Sequence, residues 1–265
     1  MMNLVDVMNN IGVTKLNTFT KYPSIQTYHE IDRGCLKSNL TDNVGFDSSD
    51  VYITEKIDGT NGRILILNGD YIIGSREELL YRKGDIFGNP SQGIVDIMKP
   101  FADYMSSKIP NDNTLYIFYG EVYGSNINGA KQYTKTKQSN VRFFDCIKTD
   151  VNHEILNRDI EYISLWREHG GQDFISVIDL HKTLDDINLS DNIVPYIVKT
   201  TGDSIPVSRA HTYEWLKRFS ATSAAIDDGM SGKAEGVVVR TEDRKIIRKI
   251  RFEDYEKTLR KQGEL

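Results

Sequence analysis

The segment best suited to covalent chemistry is residues 55–62, which read Glu-Lys-Ile-Asp-Gly-Thr-Asn-Gly. It lies at the end of a predicted strand. A lysine amine becomes a covalent nucleophile once it is deprotonated, which neighbouring cations and desolvation promote. A glycine turn after a strand places backbone N–H groups where they can face a phosphate. Lys56, Asp58 and Gly59 fit both requirements, although Lys-x-Asp-Gly also arises by chance in roughly one chain in twenty of this length. Taken alone, it could equally be a surface hairpin with a Lys–Asp pair.

Five further blocks follow this segment in order. They read Ser75-Arg76, Tyr119-Gly120-Glu121-Val122-Tyr123-Gly124, Val141-Arg142-Phe143-Phe144-Asp145, Ala234-Glu235-Gly236-Val237-Val238-Val239 and Arg248-Lys249-Ile250-Arg251. Each block alone has an ordinary structural explanation, such as core packing for the two phenylalanines or solvation for a glutamate at a strand end. Their joint occurrence is what gives them functional weight.

In this order and at these spacings, the six blocks resemble those of the covalent nucleotidyltransferase superfamily of polynucleotide ligases and capping enzymes. Within it the chain is most similar to the phage-type RNA ligase 2 family, from Phe19-Thr20-Lys21-Tyr22-Pro23 to Tyr255. The resemblance implies an ATP-dependent RNA ligase that joins a 3′-OH to a 5′-phosphate. It also implies a lysyl-AMP enzyme intermediate followed by an adenylylated 5′ end, with ATP as the adenylyl donor and Mg²⁺ or Mn²⁺ as the metal.

The resemblance implies which residues would bind the nucleotide. Lys56 would attack the α-phosphate of ATP and release pyrophosphate. The other implied nucleotide contacts are Glu55 and Ile57 beside the lysine, Asn61 and Arg76 at the phosphates or the incoming 5′-phosphate, Glu121 at the ribose hydroxyls and Phe144 on adenine. An aromatic ring suits the last role because a purine can stack on its face.

The later blocks supply the implied metal and phosphate groups. Glu235 would hold a divalent ion or its waters, and Asp145 would support the site or the metal, since Mg²⁺ prefers carboxylate oxygens, water and substrate phosphate. Lys249 and Arg251 would grip the α-phosphate, because nucleotidyl transfer needs cations where negative charge develops. The implied catalytic residues are therefore Lys56, Glu235, Lys249 and Arg251.

Two positions bear on the subfamily. The last block of the family usually has two lysines one residue apart, whereas Arg251 stands at the second position, keeping the charge and adding bidentate phosphate binding. A pair at Arg248 and Ile250 would place an apolar residue in the site, so Lys249 and Arg251 are expected there. Asn61 stands where many capping enzymes and DNA ligases carry arginine, which favours the RNA ligase branch.

Residues 131–142 form a basic stretch that could contact nucleic acid. It contains Lys131, Lys135, Lys137 and Arg142, with no acidic residue and one interleaved tyrosine. That composition suits contacts to phosphates and sugars, and a solvated loop is the alternative interpretation. The expected partner is RNA, single-stranded or nicked, with DNA left open. A helper protein for sealing and the oligomeric state are also left open.

Composition limits the class of protein. The 265 residues are 39 % hydrophobic and 27 % charged, which excludes collagenous or disordered chains. The formal net charge is −5, so any polyanion must be met by a local basic patch. No apolar run approaches the roughly 20 residues that span a bilayer, and no secretory signal is apparent. With two cysteines, too few for a disulfide framework or a zinc site, we expect a cytoplasmic protein, in the host cytoplasm if it is phage-encoded.

Periodicity predicts the elements that must position these residues. Strands are predicted over 51–57, 63–67, 71–73, 115–122, 141–147, 236–240 and 245–250, helices over 94–105, 158–169 and 208–219, and loops over 183–193 and 221–233. Because strands and helices do not alternate regularly, we expect an α+β, mainly antiparallel nucleotidyltransferase fold with flanking helices.

The expected domain organisation is a single domain over 1–265, with 252–265 as a short helical tail. The residues after Arg251 are too few for a C-terminal OB barrel, which needs roughly 50 or more.

Four other functions are compatible with parts of the pattern. A DNA ligase acting on nicks, or a guanylyltransferase that caps RNA, would keep the lysine chemistry and change the substrate. A non-catalytic nucleic-acid-binding relative would keep only the fold, against which Lys56, Glu121, Glu235 and Lys249 all argue. A Schiff-base lysine enzyme would not need the phosphate-binding cations.

Overall fold

A computed structural model describes residues 2–90 and 92–264 of the chain. The helices of this part are α1 (Leu4–Ile11), α2 (Val13–Thr20), α3 (Ile94–Ser106), α4 (Ile160–Glu168), α5 (Val177–Asp185), α6 (Arg209–Leu216) and α7 (Phe252–Gln262). The strands are β1 (Gln26–Thr27), β2 (His29–Asp32), β3 (Cys35–Leu40), β4 (Asp50–Lys56), β5 (Thr60–Leu67), β6 (Asp70–Ser75), β7 (Leu79–Arg82), β8 (Asp85–Ile86), β9 (Thr114–Gly124), β10 (Ser139–Asp150), β11 (Tyr196–Thr201), β12 (Gly236–Thr241) and β13 (Ile247–Arg251). The α+β fold with mainly antiparallel sheets is confirmed.

The chain divides into two compact units, each assembled from three segments. The first comprises Met1–Ser24, Gly59–Asn128 and Ser139–Ile193, and the second comprises Ile25–Asp58, Gly129–Gln138 and Val194–Leu265. The division falls directly after Asp58, within the segment that carries the candidate nucleophile. Lys56 therefore belongs to the second unit and Asn61 to the first.

The first unit is built on a six-stranded sheet in the order β10-β9-β5-β6-β7-β8, antiparallel throughout. The amphipathic helix α3 packs on β5 and β6, burying Ile94, Met98 and Met105. Gly62 lies so close to Met98 that a Cβ at this position would come within 2.3 Å of its sulfur. A second layer of apolar residues from α1 and α2, including Leu16 and Phe19, completes the core.

The second unit is built on a five-stranded sheet in the order β1-β13-β12-β4-β11. The pairs among β13, β12, β4 and β11 are antiparallel, and β1 pairs with β13 in parallel. One face of this sheet buries Ile53, Val237, Val239 and Ile250 in a core shared with Tyr255 of α7. This unit positions the strand that ends at Lys56.

Several predicted elements are confirmed, and one loop is wrong in part. Asp159 and Ser208 cap α4 and α6 through side-chain oxygens, as their residue types favour. The loop predicted over 183–193 is partly helical, because α5 runs to Asp185 and a 3-10 turn covers Ser190–Asn192. Residues 221–233 contain no helix or extended strand. The described part of the chain has no helix of the length and apolar character that crossing a membrane requires.

Candidate active site

Lys56 is the last residue of β4 and lies in a row of residues across three strands. It pairs with Gly236 at the start of β12, which in turn pairs with Arg251 at the end of β13. Residues directly opposite each other in antiparallel strands present their side chains on the same face. Lys56 and Arg251 therefore share one face of the sheet, separated only by a glycine.

The close approach of the strands in this row requires glycine at position 236. A Cβ built there would lie 2.1 Å from the carbonyl oxygen of Ile250, well inside van der Waals contact. Any larger residue would push β12 away from β13. Gly236 therefore keeps the strand carrying Arg251 in register with the strand that ends at Lys56.

Alternation along β13 decides which cations of the last block belong to the face of Lys56. Lys249 and Arg251 are half-buried on this face, whereas Ile250 is fully buried in the core. Arg248 points to the core side, is 8 % exposed and forms an ion pair with Asp42 at 3.3 Å. The cations beside Lys56 on the sheet are thus Lys249 and Arg251.

Glu235 is the carboxylate partner of the lysine. It directly precedes β12 and accepts a hydrogen bond from the Lys56 amine at 2.5 Å. A nitrogen of the Arg251 guanidinium lies 3.7 Å from its other oxygen. Arg251 is itself held by Asp254 through two hydrogen bonds of 2.8 Å, and this pairing raises the pKa of Arg251. The carboxylate of Glu235 therefore lies between the amine of Lys56, the candidate nucleophile, and a fixed positive charge.

The two residues beside Lys56, Glu55 and Ile57, are buried, and Glu55 is hydrogen-bonded to another segment of the chain. The Glu55 carboxylate accepts hydrogen bonds from the Thr222 hydroxyl and, at 2.7 Å, from the backbone N–H of Ser223. Ile57 is 3 % exposed. Glu55 thus fixes the start of the long loop that leads to Glu235, while its nucleotide contact remains a prediction.

In the first unit, Asn61, Glu121 and Arg142 form another row across β5, β9 and β10. The side-chain oxygen of Asn61 is buried and has no hydrogen-bond partner among the described residues. A buried polar atom without a partner is costly, which fits a position completed by a ligand. A Cβ on Gly59 would lie 2.4 Å from the Val122 carbonyl, so glycine also permits the close approach of this turn to β9.

Phe144 and Asp145 lie at a bulge in β10. Phe143 pairs with Gly120 and Asp145 with Tyr119, which leaves Phe144 as the extra residue. Bulges redirect side chains, and here Phe144 is half-buried with its ring edge-on to Tyr22 at 5.0 Å. Asp145 is 1 % exposed and accepts a 2.7 Å hydrogen bond from the hydroxyl of Tyr22.

The carboxylates of the candidate site differ in how well they fit a divalent ion. No group of three or more His, Cys, Asp or Glu side chains with metal-binding geometry occurs among residues 2–90 and 92–264. Mg²⁺ is commonly bound by one or two carboxylates together with substrate phosphates and water, so a preformed cage is not required. Glu235 is partly exposed and fits such a site, whereas the buried Asp145 is engaged by Tyr22. The metal role of Asp145 remains a prediction.

Arg76 is an exposed residue of the first unit. Its guanidinium donates to the Ser24 hydroxyl at 2.9 Å and lies 3.8 Å from Glu77. It lines a pocket of about 520 Å³ together with residues that include Thr60, Ser75 and Ile94. A phosphate contact by Arg76 remains a prediction.

The basic stretch is divided between the two units. Lys131, Lys135 and Lys137 are exposed on residues 129–138, which belong to the second unit. Arg142 belongs to the first unit, where its guanidinium donates to the backbone carbonyls of Asp191 and Ile193. The three lysines therefore form a surface group without Arg142.

Sequence reasoning missed two residues that hold this stretch. The hydroxyl of Tyr133 accepts a 2.7 Å hydrogen bond from the backbone N–H of Asp58. Asp227 accepts hydrogen bonds from the N–H groups of Lys135 and Thr136, at 2.5 and 2.9 Å. The tyrosine within a run of lysines was the available signal, and the composition of that run indicated contacts to phosphates and sugars, not the burial of the tyrosine.

The fold, together with a lysine–carboxylate pair at the end of a central strand, defines a nucleotidyltransferase-like architecture. A family model described as RNA ligase matches residues 49–256, which is most of the chain. The chain belongs to the RNA ligase family. A search of curated protein sequences finds no match.

Solved structures similar to this chain include RNA ligases from Naegleria gruberi. A lysine-to-alanine mutant with ATP and Mn is 15 % identical, with a TM-score of 0.55, over 91 % of this chain and 62 % of that one. A glutamate-to-alanine mutant with ATP and Mn is 16 % identical, with a TM-score of 0.53, over 95 % of this chain and 67 % of that one. A structure with PPi is 15 % identical, with a TM-score of 0.53, over 91 % of this chain and 62 % of that one. The chain thus spans a little under two thirds of the length of the first of these proteins.

Proposed function

We propose that the chain is an ATP-dependent RNA ligase that joins 3′-OH and 5′-phosphate ends, of the phage RNA ligase 2 type. The observation that carries this proposal is the Lys56 amine, 2.5 Å from Glu235 and on the same sheet face as Lys249 and Arg251. This arrangement supplies a nucleophile, a carboxylate and two cations suited to a phosphate. Membership of the RNA ligase family and the ATP, AMP and Mn in the similar Naegleria structures support it.

The first step would be attack by Lys56 on the α-phosphorus of ATP. A nitrogen–phosphorus bond forms, the bond to the β-phosphate oxygen breaks, pyrophosphate leaves and the amine gives up its proton. Lys249 and Arg251 would stabilise negative charge on the α-phosphate, where fixed cations contribute most. Glu235 orients the amine before attack through its hydrogen bond.

The second and third steps would transfer the adenylyl group to RNA and seal the strand. The nitrogen–phosphorus bond breaks as a 5′-phosphate oxygen of RNA takes the adenylyl group and Lys56 regains its proton. The 3′-OH then attacks the 5′-phosphate, a phosphodiester forms and AMP leaves. A divalent ion held by Glu235 would neutralise phosphate charge during these transfers.

We propose that Glu121, Phe144, Asn61 and Arg76 bind nucleotide or RNA ends in the roles that the family resemblance implies. The unpartnered side-chain oxygen of Asn61 supports a ligand contact at that position. Exposed Lys131, Lys135 and Lys137 would contact RNA phosphates, which suits a protein whose net charge is −5. A cytoplasmic location, where thiols stay reduced, is also proposed and agrees with two free cysteines.

Labelling with radioactive nucleotide tests the proposal. The protein is incubated with Mg²⁺ and α-labelled ATP or GTP, denatured, and examined for label on the chain. We expect label from ATP that disappears in Lys56→Ala and persists in Lys99→Ala, which alters an exposed lysine paired with Asp103 at 2.7 Å. Label from GTP would indicate a capping enzyme instead, and no label in a folded protein would exclude the covalent mechanism.

Sealing assays identify the substrate. Single-stranded RNA, nicked RNA duplex and nicked DNA are compared with the same preparation. Sealing of an RNA substrate supports the proposal. A preference for nicked DNA over every RNA substrate would make the chain a DNA ligase and overturn the RNA assignment.

A further inference from the structure

Tyr133 is fully buried and contacts the turn that follows the candidate nucleophile. Its hydroxyl accepts the backbone N–H of Asp58 at 2.7 Å, and Asp58 lies two residues after Lys56. Because β4 ends at Lys56, the Asp58 N–H cannot be satisfied by that strand's ladder and needs another partner. Tyr133 supplies it from residues 129–138, a segment remote from Lys56 in sequence.

The Tyr133 hydroxyl is neutral in its electrostatic surroundings. Burial raises the pKa of the Tyr133 phenol, the hydrogen bond from Asp58 opposes this, and the charges of Glu55, Asp58 and Glu235 raise the pKa further. The hydroxyl therefore stays protonated and neutral at physiological pH. A neutral hydrogen-bonding group can hold this turn without adding charge beside the lysine.

Residues 129–138 are fixed by the loop at residues 221–233. The Tyr133 carbonyl accepts the N–H of Ile226 at 2.8 Å. Asp227 accepts the N–H groups of Lys135 and Thr136 and the Thr136 hydroxyl, the last at 2.6 Å. These hydrogen bonds lower the pKa of Asp227 to about 2, so its carboxylate is ionised at neutral pH. Asp227 thus clamps the backbone on the C-terminal side of Tyr133.

A second contact joins the same segment to the turn. Gly129 has a φ of +75°, and a Cβ there would lie 2.5 Å from a carboxylate oxygen of Asp58. The first residue of the segment therefore packs directly on the Asp58 side chain, while Tyr133 binds its backbone. Both contacts constrain the residue that follows Ile57.

We propose that Tyr133 is a positioning residue for adenylylation of Lys56, and that Asp227 fixes Tyr133 in place. Tyr133 holds the Asp58 N–H and with it the turn that sets the direction of the Lys56 amine. This role rests on the proposed function, because formation of lysyl-AMP is its readout. The exposed lysines of the segment take no part in it, so RNA contact and positioning of the nucleophile are separate properties of residues 129–138.

Tyr133→Phe tests this role by removing one oxygen atom. Lys56 labelling is followed in single-turnover experiments at a series of ATP concentrations. We expect the rate constant at saturating ATP to fall by about tenfold, because small displacements of a reacting group are costly, with the half-saturating ATP concentration unchanged. Tyr71→Phe is the matched control, since Tyr71 is equally buried and its hydroxyl contacts Asp103 instead.

Asp227→Asn provides a second test at a half-buried position. This variant should also slow labelling. The double variant with Tyr133→Phe should slow labelling by less than the product of the two single effects, because both substitutions act on the same contact. Asp243→Asn is its control, because Asp243 also has a pKa of about 2 and is held by Lys245 and Thr241, outside residues 129–138. Hydrogen exchange at Asp58 should be faster in Tyr133→Phe and in Asp227→Asn and unchanged in both controls.

The outcomes separate this role from the proposed function. If the wild-type protein is labelled but Tyr133→Phe leaves the rate constant of labelling or the hydrogen exchange at Asp58 unchanged, the positioning role is overturned. The ligase proposal then still stands. A loss of thermal stability alone, equal to that of Tyr71→Phe, also overturns the positioning role. No label in the wild-type protein overturns the proposed function and this role with it.

Discussion

The amine of Lys56 and the carboxylate of Glu235 form an ion pair at 2.5 Å between the last residue of β4 and the residue that precedes β12. The two residues are far apart in sequence, and pairing of β4 with β12 brings them together. Both side chains remain partly exposed, so the pair is accessible from solvent.

Glu235→Gln is expected to abolish metal-dependent labelling while leaving the fold intact. The amide keeps the size of the side chain and loses the charge that would bind a divalent ion and orient Lys56. A fall of about a hundredfold or more in the labelling rate is expected, as for loss of a major electrostatic group. Titration with Mn²⁺ measures the effect. Glu214→Gln is the control, because Glu214 forms an exposed ion pair with Lys217 at 2.6 Å, and this variant should label normally. Normal labelling in Glu235→Gln would contradict the proposed role of Glu235.

Arg251→Lys is expected to retain charge and lose rate. Lysine cannot reproduce the two hydrogen bonds of 2.8 Å that fix the guanidinium on Asp254. Labelling should fall by about tenfold in Arg251→Lys and further in Arg251→Ala, with the rate measured at saturating ATP. Asp254→Asn should resemble Arg251→Lys, because it leaves the arginine without its anchor. Equal rates for lysine and arginine would show that only the charge matters.

Gly236→Ala is expected to damage both stability and labelling. The new methyl group would meet the Ile250 carbonyl at 2.1 Å, so β12 and β13 must separate. Overpacking of this kind costs about 1–3 kcal/mol, which denaturant unfolding can measure. Gly88→Ala is the control, since its nearest neighbour would be a Leu80 methyl at 3.9 Å. An unchanged free energy of unfolding would mean that the strands are not held as closely as described.

Stability should fall as the pH drops below about 6.5, the ordinary pKa of histidine. Burial lowers the pKa of His29, which contacts the Tyr255 hydroxyl at 2.7 Å and the Val207 carbonyl at 2.8 Å. The unfolded chain then binds a proton that the folded chain does not, so acid favours unfolding, and above this pH the effect vanishes. Denaturant midpoints between pH 5 and 8 measure the slope, which His29→Gln should reduce. His181, whose pKa burial also lowers, should contribute to the slope that remains, and an unchanged slope in His29→Gln would contradict the role of His29.

Lys135→Ala and Lys137→Ala should weaken RNA binding without slowing Lys56 labelling. Each exposed lysine that meets a phosphate contributes about one unit to the salt dependence of binding. Affinity measured over a range of salt concentrations should therefore show a slope smaller by about 1 for each variant. Lys99→Ala serves as the control on another surface. Unchanged slopes in both loop variants would remove residues 129–138 from the RNA interface.

Local patterns in the sequence were sufficient for several of the elements and for recognising the chemical blocks. Alternating apolar residues predict the strands that became β4, β9, β10 and β12, and helical spacing predicts α3. Lys56 at a strand end and the glycine turn after it follow from the same local signals. The alternation of Lys249, Ile250 and Arg251 likewise predicts which two side chains share a face. These features depend on neighbours only a few residues away, which is why the sequence alone determines them.

Tertiary structure decided which residues of the candidate site contact one another. The row from Lys56 through Gly236 to Arg251, and the ion pair with Glu235, depend on the register of strands separated by most of the chain. The burial of Tyr133 against Asp58 depends on two loops packing together. Such register and packing are set by the sum of many distant contacts that bury one face of a sheet, and no local pattern encodes that sum.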